Sequence, residues 1–367
     1  MTGKFDRIVS ADSHVNEPVD LWVKAMGDTY GDSTPRLVEE YRGEKGRFFF
    51  TGLRVMSLAA DEKEITDMGL DVAVGYEPGP RLQFQRRAGV DCELIYPTFG
   101  LHQLVGPDRP AMRVACAIYN DWAAEFCSHD RERLIPIATV PSDDPKWAVA
   151  EMTRCREIGH IGAMISLQAP KGRPLYRDRM YDPIWAAAQD LGMPITLHLA
   201  TGRRKTSIQA AVDGDFEGLG GVYLATRTEI MDVLADEFIW GGIFDRYPEL
   251  QIVCSEFEIS WIPFFIAKMD EMQFAMGHRF ELPKLERPAR DYVLERCWHV
   301  LINDRYAAET INIVGPERVL WGSDFPHVRS IGLNAERYVD TLLEGIGDGE
   351  KRDIVGRNCE SLLAVVN

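Results

Sequence analysis

The chain has 367 residues, too many for one small module and enough for either one large barrel or two ordinary domains. With 46% hydrophobic and 27% charged residues and no apolar run of about 18, it reads as a globule with a sizeable core and not as a membrane span. Its formal charge of −16 repels phosphate backbones, so nucleic acid is not an expected partner.

Seven scattered cysteines without a CxxC pair read as reduced thiols that fill the core. The N-terminal MTGKFDRIVSADSH has no apolar block, so no secretory signal is expected and the compartment is read as the cytoplasm.

Short apolar runs alternate with segments of helical spacing, the pattern of parallel strands joined by helical crossovers. In chain order the strands are Arg7 to Ser13, Cys92 to Thr98, Leu134 to Val140, Gly162 to Leu167, Pro194 to Ala200, Gln251 to Phe257, Cys297 to Asn303 and Val319 to Asp324. Helices are expected at 110–128, 144–157, 180–191, 224–237, 260–276, 305–314 and 335–345. Eight such units predict an α/β fold, a (β/α)8 TIM barrel formed by a single domain over 1–367. The surplus length falls in insertions at about 17–91 and 201–222, both after strand ends and so over the C-terminal face.

That face gathers the chemistry. Asp12 and His14 stand two apart on the first strand and share a face. His198 ends the fifth strand, Glu256 the sixth and Asp324 the eighth. Each alone has a dull reading as a core histidine, salt bridge or cap; their convergence at one rim is what points to a metal. Glu256 and Asp324 sit after apolar positions, where an uncompensated charge is costly, so a cation or an arginine must answer each.

DSHVNEP, YPTFGL, TLH, GGIFDRYPEL and WGSDFPH together make the chain resemble the amidohydrolase superfamily, in the branch of aminocarboxymuconate semialdehyde decarboxylase and γ-resorcylate decarboxylase. The resemblance covers nearly the whole chain and implies metal ligation by Asp12, His14, His198 and Asp324. Two departures stand out. Asp12-Ser13-His14 replaces the common His-x-His, as in the resorcylate-type decarboxylases, and Glu256 stands where the family's sixth strand usually offers a histidine. A glutamate at neutral pH accepts hydrogen bonds but cannot supply an imidazole's donor or positive charge.

Three carboxylates and two histidines carry more negative charge than one divalent ion balances, which favours two cations, as in carboxylate-rich di-iron proteins. This centre is similar to that of a superfamily offshoot, the non-heme diiron monooxygenases of platensimycin-type diterpenoid biosynthesis. The leading expectation is therefore a diiron monooxygenase with two Fe ions, hydroxylating a hydrophobic carboxylic acid or its CoA ester in secondary metabolism, with Glu256 and Asp324 catalytic. The alternative is a mononuclear hydrolase or decarboxylase holding one Zn or Mn, with Asp324 as general base. A third reading is a metal-stabilised binding protein without turnover.

Further ligands are sought among Glu17, His102, His299 and His327, with His102 and His299 ranked first because they lie at or near strand ends. His129, His160 and His278 read as structural or exposed. Arg203 and Arg204, with Lys205, punctuate the second insertion and are the expected substrate-binding groups for a carboxylate or activated ester; Arg86 and Arg87 form a second basic pair. A homodimer is the default assembly.

Overall fold

The computed structural model describes residues 4–52, 54–106, 109–202, 219–327 and 334–364. The first strand, β1 (Val9–Val15), is followed by a small antiparallel sheet of β2 (Arg36–Tyr41), β3 (Glu44–Phe50) and β4 (Val55–Ser57). Seven more strands follow: β5 (Cys92–Pro97), β6 (Leu134–Thr139), β7 (Gly162–Ile165), β8 (Ile195–His198), β9 (Ile252–Ser255), β10 (Cys297–Leu301) and β11 (Val319–Trp321). They join β1 in one eight-stranded sheet ordered β1-β5-β6-β7-β8-β9-β10-β11, parallel throughout. A bridge between Ser13 and Phe325 brings its two ends together, so the fold is a (β/α)8 barrel.

The strands form because they are buried on both faces, which lets apolar residues run on without strict alternation. Val9, Leu94, Tyr96, Ile137, Met164, Val253, Trp298, Val300 and Leu320 pack into one cluster inside the cylinder, which is a filled core and not a pore. A larger cluster joins the outer strand faces to the helices, with Trp185, Phe238, Phe244 and Trp321 buried in it. Local signals agree with this packing. The helix Pro145–Ile158 opens on Asp144, whose carboxylate accepts the N–H groups of Lys146 and Trp147, and closes on Gly159 at φ 110°. All seven cysteines are buried and none forms a disulfide.

The segment between β1 and β5 is richer than its sequence reading, which assigned it no elements. Besides the small sheet it holds helices Leu21–Met26, Leu58–Asp67, Ala73–Tyr76 and Pro78–Ala88. The β2–β3 hairpin turns at Arg42 and Gly43, with φ of 53° and 81°. Two successive left-handed residues fit the hairpin twist, and glycine at the second is the cue that was there to be read. No described helix is long and apolar enough to cross a membrane.

Candidate metal centre at the barrel rim

A fault in β1 builds the site. Ser10 and Ser13 both turn outward, where their hydroxyls meet Ser323, while Val9 and Ala11 face the interior. The register against β5 shifts between Ser10 and Ser13, and this bulge brings Asp12 inward directly after Ala11, with His14 two residues on. Strict alternation from Val9 would have presented Ser13 and Val15 instead.

Four of the expected residues converge there. His14 Nε2 lies 3.3 Å from Asp12 Oδ1 and 3.6 Å from Asp324 Oδ1, and His198 Nε2 lies 3.5 Å from Asp12 Oδ1. Two donors bound to one ion at about 2.1 Å stand about 3.0–3.4 Å apart, so the spacings of Asp12, His14 and His198 fit a shared cation after small adjustments, while Asp324 groups with His14 and His327. The remaining atoms of these side chains are committed elsewhere. His14 Nδ1–H donates to the Pro97 carbonyl and His198 Nδ1–H to that of Leu199, each at 2.8 Å, while Asp12 Oδ2 accepts from Ser255 Oγ at 2.8 Å. Each neutral imidazole is thereby fixed with its Nε2 lone pair toward the centre. Asp12 Oδ1, His14 Nε2 and His198 Nε2 are buried without a hydrogen-bond partner, a costly arrangement that a divalent ion resolves. Without an ion, burial alone would raise the Asp12 carboxyl; the positive charge and N–H donation that the His198 and His14 rings offer when protonated reverse this and hold it well below the usual carboxylate range.

His327 approaches from the loop after β11. It groups with His14 and Asp324, its ring centroid 4.5 Å from that of His14. Ala200, Glu256 and Asp324, just past β8, β9 and β11, adopt φ of 71°, 68° and 52°. Non-glycine residues enter this region at a cost, and these three gather around the candidate ligands.

Other expected residues land differently. Glu256 sits at the rim with its Oε1 3.3 Å from Arg227, whose guanidinium also donates to the Glu256 carbonyl. Its nearest approach to the cluster is 3.9 Å to His198 Nδ1, the nitrogen turned away from Asp12. Its charge is thus answered by an arginine, and it lies outside both groups of possible metal ligands found among the described residues. With Glu256 neutralised, Asp12 and Asp324 leave two negative charges, the amount one divalent ion balances.

His102 lies in the turn Gly100–Val105, and its Nδ1 accepts from Arg54 Nη1 at 3.0 Å. Burial, and then the Arg54 charge, hold it well below the usual imidazole range. A neutral ring accepting at Nδ1 carries its proton on Nε2 and has no lone pair left for a metal. Glu17 shapes the same turn by accepting the N–H groups of Phe99 and Gly100 at 2.9 and 2.8 Å. Burial still pushes it up to about 7.

His299 points out of the barrel, because Trp298 and Val300 take the inward positions of β10. Its Nε2–H donates to the Val293 carbonyl at 3.2 Å and its ring meets Trp261 edge-on. Burial lowers it to about 4, opposed by that bond and aided by Arg318. The folded state therefore keeps it neutral while the unfolded chain takes up a proton below about 6.5, so its contribution to stability is lost as pH falls from about 6.5 to about 4. Over that window the loss amounts to about 3 kcal/mol. Urea unfolding of metal-free protein should show a shallower acid-side decline for His299→Gln than for the parent; identical slopes would speak against it.

Arg203, Arg204 and Lys205 lie outside the described residues. Arg86 and Arg87 are exposed on the helix Pro78–Ala88, not at the site. Three arginines escaped the sequence reading. Arg54, in the turn between β3 and β4, reaches from the inserted sheet to His102 and to the Ala200 carbonyl, 3.4 Å away. Arg227 answers Glu256, and the fully buried Arg81 pairs with Glu93 at 2.8 Å behind β1. Only the demand that buried carboxylates be compensated could have found them, and it names a need without naming the partner.

A family model described as Amidohydrolase matches residues 66–365. The chain is 25% identical over 261 residues to a gamma-resorcylate decarboxylase of Rhizobium sp. (strain MTP-10005), covering 67% of this chain and 76% of that protein. It is 25% identical over 306 residues to the decarboxylase orsB of Emericella nidulans, covering 78% and 85%. Among solved structures, a 5-carboxyvanillate decarboxylase from Novosphingobium aromaticivorans with bound manganese superposes with a TM-score of 0.72 at 20% identity, covering 99% of both chains, a likeness of fold. These decarboxylases overturn the expectation of a diiron monooxygenase, and the pairing of Glu256 with Arg227 removes the charge surplus on which two Fe ions rested.

Proposed function

Since the chain belongs to the amidohydrolase family, we propose that it is a mononuclear, metal-dependent decarboxylase of a small aromatic acid bearing a hydroxyl beside its carboxylate. The observation that carries this reading is the meeting of Asp12, His14 and His198, with three buried and unpartnered donor atoms, on a chain similar to decarboxylases. Asp12, His14, His198 and Asp324 would hold the ion, with His327 beside it. Manganese is favoured by the ion named with the 5-carboxyvanillate decarboxylase, and two imidazoles with two carboxylates suit either it or zinc. When bound, the ion would act as a Lewis acid toward the substrate's oxygens.

The residues account for the rest. The Arg54 guanidinium and the His102 Nε2–H present donors at the mouth, where an anionic acid must enter a protein of net charge −16. Asp324 would carry a proton to the ring carbon that bears the carboxylate. Once that carbon is protonated, the bond to the carboxylate breaks, its electron pair returns to the ring and carbon dioxide leaves. No electrons are gained or lost overall, so dioxygen has no part.

Manganese-loaded protein should release carbon dioxide and a phenol in equal amounts from 2,6-dihydroxybenzoate or a related hydroxybenzoate under anaerobic conditions. A chelator should abolish this and Mn(II) restore it. Turnover that requires dioxygen, or ester hydrolysis without decarboxylation across such a panel, would replace this reading.

A further inference from the structure

The barrel closes at its chemistry. Every other pair of neighbouring strands is matched over at least three residues, while β1 meets the segment after β11 at the single bridge Ser13–Phe325. Two backbone bonds accompany it, from His14 N to the Phe325 carbonyl at 2.6 Å and from Asp324 N to the Asp12 carbonyl at 2.9 Å. Three of the four ligand candidates therefore sit on the two lips of this seam.

A buried polar lock lies directly behind it. Ser10, Ser13 and Ser323 bring their hydroxyls within 2.8–3.0 Å of one another, and Ser323 N donates to Ser10 Oγ at 2.8 Å. Ser13 Oγ–H reaches Glu93 Oε1 at 3.2 Å. Glu93 in turn receives Arg81 through Nε at 2.8 Å and Nη2 at 3.1 Å, and Gln85 at 2.5 Å. Arg81 then spans the seam. Its Nη1 donates to the His14 carbonyl at 2.9 Å, its Nη2 approaches the Phe325 carbonyl at 3.5 Å, and its guanidinium lies over the Phe325 ring, 4.4 Å from the centroid.

We propose that Arg81 is a positioning residue for the metal centre: held by Glu93, its rigid fork grips one carbonyl on each lip and so sets the spread between the His14 imidazole and the Asp324 carboxylate. Nothing about the ligands themselves requires a buried ion pair here, and a hydrophobic pair would fill the space without desolvating two charges. What the pair adds is direction, since a planar guanidinium satisfies a carboxylate and two divergent carbonyls at once, whereas an ammonium acts as a point charge. The inference rests on the proposed metal centre.

Binding of Mn(II) to metal-free protein, followed by calorimetry and by the Mn(II) electron paramagnetic resonance spectrum, tests it. Arg81→Lys keeps the charge and loses the fork; its Mn(II) Kd should rise about 10–100-fold, the usual effect of disturbing the shell behind a ligand, and its spectrum should broaden. Asn120→Ala, which removes a buried amide bonded to Thr139 and Glu151 away from the seam, should lower the melting temperature and leave the Kd unchanged. That contrast separates positioning from general stability. Should Arg81→Lys not fold, Ser323→Ala takes its place, with a several-fold rise expected. A Kd within twofold of the parent in the folded seam variant overturns the proposal. A parent that binds no Mn(II) overturns the metal centre itself, and the positioning role with it.

Discussion

Replacing His198 by alanine is expected to remove the divalent ion and the turnover together, with kcat/KM for a hydroxybenzoate falling by at least about 10³-fold, or about 4 kcal/mol of transition-state stabilisation. The size follows from geometry. His198 is fully buried at the end of β8, and its Nε2 faces Asp12 at 3.5 Å with no other partner. An alanine offers no donor, and the neighbouring Glu256 cannot swing in without abandoning Arg227. Metal content by atomic absorption and carbon dioxide release on the same preparation read both effects. A variant that keeps one ion per chain and stays within tenfold of the parent would remove His198 from the ligand set.

The second large effect is on folding. Arg81→Met should destabilise the protein by about 3–5 kcal/mol, because it leaves the Glu93 carboxylate buried beside serine hydroxyls and an amide with no cation. Adding Glu93→Leu should recover most of that loss, since two packed apolar side chains carry no desolvated charge. Equilibrium urea unfolding of the metal-free single and double variants measures both. A single variant within about 1 kcal/mol of the parent would mean that water reaches Glu93 and that the pair is not the closed unit described above.

How much of this was readable beforehand depends on the range of the interaction concerned. The eight barrel strands were legible because burial on both faces leaves short apolar runs in the sequence itself. Predicted and observed spans overlap in every case, as with Cys92–Pro97 within Cys92–Thr98. Asp12, His14, His198 and Asp324 were legible because strand ends in a closed parallel barrel meet at one rim. The inward turn of Asp12 was expected for an incomplete reason, however, since alternation alone would have failed without the bulge after Ser10. His299 and His327 were misjudged by the same rule. A strand position is inward or outward by parity, which put His299 outside, while a loop residue three places past Asp324 has no parity and could fold back toward His14.

Glu256 shows the deeper limit. The cost of burying it was readable, and so was the demand for a positive group, but Arg227 lies 29 positions away on a helix whose docking only the fold decides. Reading that charge as unanswered led from one cation to two and from decarboxylation to oxygen chemistry. The inserted segment was opaque for a similar reason, because its small sheet is stabilised by its own core of Trp22, Phe49, Leu58 and Phe99 against the helix Arg109–Cys127, contacts that leave no periodic trace.

The seam between β1 and the Phe325 segment has a consequence for the order of events in the cell. Asp12 and His14 leave the ribosome long before Asp324 and His327, so the complete set of donors cannot assemble until both lips of the seam have been synthesised. A nascent chain stalled before Asp324 would lack the closing bridge together with Asp324 and His327. At the proposed metal centre, capture of the ion would coincide with the final stitch of the cylinder, which would make metal loading a report that the barrel has closed.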